Sequence, residues 1–144
     1  MLSVLALGLA TERALSGNGN VYIPVSPDAQ GRVEVDVADL KPLQVRFYRF
    51  LNAGNQEVRF FVGRDESGAI QTAFDASENE YKLRRGFRSQ NGWMVNNKCG
   101  ISVRLDEVNQ GVSGCAPVPV PFHLDGSKVV LAQSDVLDGW RFFR

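Results

Sequence analysis

The chain has 144 residues and a formal net charge of zero, with Lys plus Arg and Asp plus Glu at 16 each. That balance gives no long-range pull toward nucleic acid or anionic lipid, and a hydrophobic content of 44% supplies a core that needs no metal or disulfide scaffold. A single histidine excludes a multi-histidine metal centre, and two cysteines are too few for a four-thiolate zinc or iron–sulfur site within one chain.

Met1 to Ala10 is an apolar run that Thr11-Glu-Arg13 ends well short of the roughly 20 residues a membrane span needs. It lacks the basic start of a signal peptide. Two readings stand for residues 1–16: the remnant of an export signal or anchor, or a helix packed on the domain or a partner. Ser16-Gly-Asn-Gly-Asn20 is a break, and residues 17–144 read as one domain. Val21 to Val25 is a strand that Pro24 places at a sheet edge. Arg32 to Val37 alternates polar and apolar as a half-buried strand does. Gln44–Leu51 and Glu57–Val62, split by Asn52-Ala-Gly-Asn55, form a hairpin. Gly63 to Gly68 is a turn and Ala69 to Phe74 the next strand.

Asp75 to Gly92 is polar and aperiodic, and reads as an irregular connection. Trp93–Val95 and Ile101–Leu105 are short strands on either side of a turn at Cys99, and Leu105 to Gln110 suits a helical turn. Pro117, Pro119 and Pro121 force an extended segment from Ala116 to Phe122. Lys128 to Leu131 is a last strand, and Ser134 to Trp140 a closing helical turn. The expected fold is mostly β, a single sheet, sandwich or open barrel with long irregular connections. Phe47, Tyr48, Phe50, Phe60, Phe61 and Phe74 are its packing residues.

Several words in the second half occur in a fixed order: Phe60-Phe-Val-Gly-Arg-Asp-Glu-Ser-Gly68, Ala73-Phe-Asp-Ala-Ser-Glu-Asn-Glu-Tyr-Lys-Leu-Arg-Arg-Gly-Phe87, Met94-Val-Asn-Asn-Lys-Cys-Gly100 and Ser113-Gly-Cys-Ala-Pro-Val-Pro119. They resemble the FtrD-like family of membrane-associated or exported iron–sulfur-containing proteins, many of which accompany bacterial iron or copper uptake. The family pattern reads F-F-V-x-R-x-x-x-G, A-F-D-A-C-x-x-C-Y-x-x-K-K-G-Y, M-V-C-x-N-C-G and G-G-C-N-P-x-P. Of the five cysteines in that pattern, Cys99 and Cys115 remain, while Ser77, Glu80 and Asn96 stand at the other three positions. Serine, glutamate and asparagine are poor substitutes for the soft thiolates a cluster takes. The resemblance therefore implies the fold but not the full cofactor.

Because the family's cysteines approach one centre, the resemblance implies that Cys99 and Cys115 lie close together. A disulfide, the default in an exported protein, or a pair of buried thiols is one outcome. A two-thiolate copper(I) site with Met94 adding a thioether is another, and iron remains open. Asp75, Glu78 and Glu80 could gather a hard cation, but acids of a solvated loop pairing with Lys82, Arg84, Arg85 and Arg88 are the ordinary explanation. The Lys82–Arg88 stretch with Tyr81 and Phe87 is too isolated a basic patch for nucleic acid. His123, following a proline-rich strand, is structural. No serine or cysteine has a motif-level base partner, so turnover chemistry has no support.

The expected function is that of an exported or membrane-associated, periplasmic binding domain that kept the fold and lost the cofactor. It would meet a protein partner, with membrane contact through 1–16 and self-association both open. The alternative is metal or redox handling by Cys99 and Cys115, through iron or copper binding or dithiol–disulfide exchange.

Overall fold

A computed structural model describes residues 19–79, 81–110 and 114–144. The apolar segment 1–16 lies outside the described residues, as does Glu80. The described chain is mostly β. Its centre is a five-stranded sheet in the order β1 (Tyr22–Val25), β3 (Val45–Leu51), β4 (Glu57–Arg64), β5 (Ile70–Ser77) and β9 (Pro117–Pro119). β1 runs parallel to β3 and the other neighbours are antiparallel. Pro24 lies on the edge strand, where a missing N–H costs no ladder bond.

Both faces of this sheet are covered, and the aromatic doublets record it. Successive strand residues point to opposite faces. Tyr48, Phe60 and Phe74 enter one core with Val33, Val35 and Leu131. Those aliphatic residues come from a second sheet of β10 (His123–Asp125), β11 (Lys128–Ala132) and β2 (Arg32–Asp36). Phe47, Phe61 and Ala73 enter a second core on the opposite face, with Phe87 and Met94. That cover is an antiparallel meander of β6 (Phe87–Gln90), β7 (Trp93–Asn96) and β8 (Ser102–Arg104).

Side-chain hydrogen bonds fix the turns. The Asp65 carboxylate accepts from Ser67 N and Ala69 N at 3.0 Å each, from Ser67 Oγ at 2.6 Å and from Gln71 Nε2 at 3.1 Å. Burial pushes its pKa up, but these donors win and hold it below the usual carboxylate value. Arg64 donates to the carbonyls of Leu40, Gly68 and Val37 at 2.6, 2.8 and 3.0 Å, which staples the loop after β2 to the β4–β5 turn.

Two elements depart from the sequence-based expectation. The stretch 75–92 is not one irregular connection: β5 runs on to Ser77, a 3-10 turn covers Tyr81–Leu83, and β6 follows. The segment after the prolines forms β10, which places His123 opposite Val130 on an exposed edge strand. The helical turns occur at Leu105–Gln110, Gln133–Leu137 and Trp140–Phe142.

Candidate functional site

All four described positions that match family cysteines are brought together by the side chain of one of them, Asn96. Ser77 ends β5, Asn96 ends β7, and Cys115 precedes β9; Cys99 follows Asn96 in the turn to β8. Ser77 and Asn96 are 2% and 3% exposed, so their polar atoms must find partners inside the protein. The Asn96 amide supplies them. Its Oδ1 accepts from the backbone N–H groups of Lys98 and Cys99 at 2.9 and 3.0 Å. Its Nδ2 donates to the Cys115 carbonyl at 2.9 Å and to Ser77 Oγ at 3.3 Å. The two backbone donors fix which end of the amide is oxygen. The turn is closed by Gly100 N donating to the Asn96 carbonyl at 2.9 Å, with Gly100 at φ +71°.

Cys99 and Cys115 are joined as a disulfide with Cα atoms 6.6 Å apart. Both residues are half-buried. The bond ties the turn after β7 to the loop that feeds β9, across the ground already spanned by Asn96.

This donor set does not fit an iron–sulfur cluster. A cluster takes thiolates. Here the converging atoms are an amide N–H pointing inward, a hydroxyl, a carbonyl and two sulfurs bonded to each other. Met94 is fully buried in the second core among aromatic and aliphatic side chains. Among the described residues no group of three or more His, Cys, Asp or Glu side chains is placed to hold a metal ion.

The acidic loop is arranged differently from the expectation. Glu78 pairs with Arg141 near the C-terminus at 2.5 Å, rather than with Lys82, Arg84, Arg85 or Arg88, and both side chains are about half exposed. Arg84 donates to the Arg144 main-chain oxygen at 2.7 Å, and Arg88 to Asn97 Oδ1 at 2.8 Å. Asp75, read from sequence as part of that loop, is instead 4% exposed within β5.

Asp75 is the residue whose surroundings the sequence reading missed. Its Oδ1 accepts the Phe87 N–H at 2.7 Å and its Oδ2 accepts the Tyr22 hydroxyl. Burial pushes its pKa up to about 6, against the opposing pull of the Tyr22 and Phe87 hydrogen bonds and the Arg59 charge. The Arg59 guanidinium lies 4.6 Å from the centre of the Tyr22 ring. Gly86 has φ +60°, and a Cβ there would sit 2.6 Å from Asp75 Oδ2. The sequence signal was available: Ala73, Asp75 and Ser77 share a strand face, so alternation puts a carboxylate on the side that Ala73 buries.

Asp75, Ser77 and Asn96 line one cleft of about 100 Å³, together with Arg85, Lys98 and Tyr81. Asp75 is thus a buried carboxylate beside the cysteine-replaced centre, linked through Phe87 to the meander that carries Asn96.

Among the described residues no helix is long and apolar enough to cross a membrane. No curated protein and no solved structure matches the chain. A family model described as "Membrane iron-sulfur containing protein FtrD-like" matches residues 37–143, a stretch that includes β3 to β11, both cysteines and the Asn96 network. The chain belongs to the FtrD-like family.

Proposed function

We propose that this protein is a cofactor-free FtrD-like domain. It acts without turnover as a binding or scaffold component of a membrane-associated assembly that accompanies iron uptake or a redox system. The observation that carries the reading is the Asn96 amide. It makes four hydrogen bonds where the family pattern has a cysteine, and so performs by hydrogen bonding the convergence that a metal centre would otherwise impose. The disulfide supports placement outside the cytoplasm, where such bonds persist. The family description supports a membrane setting. The partner is then a protein of the same assembly.

Metal analysis with thiol counting, on protein purified without oxygen, tests this. The expected result is no stoichiometric iron or copper, and no free thiol before reductant is added. Two free thiols with stoichiometric metal would overturn it.

The half-exposed position of both cysteines favours a second reading, dithiol–disulfide exchange. Equilibration with glutathione buffers separates the two. A bond that opens only under strongly reducing conditions is structural, and one that opens near the potential of known exchange proteins serves redox transfer.

A further inference from the structure

We propose that the cleft beside Asn96 binds a small polyanion carrying two or more carboxylate or phosphate groups. Its lining draws cations from three separate elements: Arg59 from β4, Arg84 and Arg85 from the turn before β6, and Lys98 from the turn after β7. The carboxylates in the same lining are Glu57 and Asp75. Glu57 is already engaged by Arg49 and Arg59, each at 3.2 Å. Asp75 is occupied by Tyr22 and Phe87. Arg84 is committed to the Arg144 main-chain oxygen. Among the described residues Arg85 and Lys98 make no ion pair, so two positive charges in the lining have no described carboxylate partner.

Like charges gathered around a concave surface focus potential into it and raise the local concentration of anions. Charge-assisted hydrogen bonds from guanidinium and ammonium groups then fix carboxylate or phosphate oxygens. Half-buried Tyr81 and Phe143 supply apolar wall for a carbon skeleton. The small volume admits a compact ligand, and a chain of zero net charge offers no basic track for a polymer. Lys98 is held by the same turn that Asn96 caps, so the cleft's shape depends on that network.

The test titrates the isotope-labelled full chain with citrate and with pyrophosphate, using trimethyl citrate as the uncharged comparison. Backbone amide resonances are followed by NMR. Saturable shifts at Gly86, Phe87 and Lys98 are expected, with a Kd below about 1 mM that weakens as salt rises. The preference between the two probes assigns the carboxylate or the phosphate source. Arg85→Gln with Lys98→Gln should weaken binding at least about tenfold. Arg88→Gln and Lys128→Gln, at cations outside the cleft, should leave it unchanged. Should the pair disturb the spectrum globally, Lys98→Gln alone carries the test. No saturable shift, an equal response to trimethyl citrate, or equal loss in the outside variants would each overturn the proposal.

Discussion

Asn96 Nδ2 donates to the main-chain carbonyl of Cys115 across 2.9 Å, joining residues 19 positions apart in sequence. The opposite end of the same amide receives two N–H groups of its own turn. Replacing Asn96 by Ala removes the acceptor of two part-buried N–H groups and the amide donor to the Cys115 carbonyl. A loss of about 1–3 kcal/mol is expected, since each hydrogen bond removed contributes about 0.5–1.5 kcal/mol and water replaces part of the set at these part-buried groups. Urea unfolding measures it. Asn96→Asp keeps the acceptor for Lys98 and Cys99 but turns an oxygen toward the Cys115 carbonyl, so it should rescue only part of the loss. A full rescue would show that the Cys115 contact contributes nothing.

Reduction of the disulfide should lower stability by about 3 kcal/mol, the loop-closure effect of a bridge spanning 16 residues. The fold should survive, because the two cores do not include either cysteine. Thermal melts with and without reductant report the shift. A Cys99→Ser, Cys115→Ser variant should match the reduced protein and be indifferent to reductant. Unfolding of that variant at ambient temperature would mean that the bridge, and not the cores, holds the meander.

Asp75 makes stability depend on pH in the direction opposite to an ion-paired carboxylate. Its pKa is about 6 in the folded chain against 3.8 for the ordinary group, so the native state binds more protons between those values. Stability from this residue is fully present below about pH 4 and is lost as pH rises through 6, by about 3 kcal/mol in total. Asp65 runs the other way: its lowered pKa adds stability that disappears as pH falls through the acid range. Carboxyl-selective NMR of Asp75 checks the midpoint. Tyr22→Phe removes one donor to the carboxylate and should move that midpoint further up. Asp75→Asn should flatten the pH 4–6 slope while costing stability, because its NH₂ faces one of the two donors.

The Glu78–Arg141 contact predicts a small effect. Its side chains are 50% and 48% exposed, so solvent screens the pair. Glu78→Gln should change stability by less than about 1 kcal/mol. A larger loss in thermal unfolding would show that this pair holds the end of β5 to the C-terminal turn.

What the sequence disclosed followed burial. The Val33, Val35, Val37 alternation and the Phe47–Tyr48 and Phe60–Phe61 doublets named strands correctly because each has a face, or two, turned to a core. β6 escaped because Phe87 is its one buried residue, and β10 because all three of its residues are exposed. With nothing repeating at period two, only neighbouring strands define such segments. The gathering of Ser77, Asn96 and Cys115 was legible through the order of the family words. The way it is held was not, because an amide bridging three backbone groups leaves no spacing to read. Asp75 was grouped with its acidic neighbours Glu78 and Glu80, where strand alternation from Ala73 placed it inside.

The bridge from Cys99 to Cys115 encloses β8 and the 3-10 segment that follows it. A protease that nicks the backbone between those cysteines therefore releases nothing. The cut product would remain one particle of nearly unchanged mass and would separate into two fragments only on a reducing gel. Such a molecule is cleaved and still keeps its parts in register.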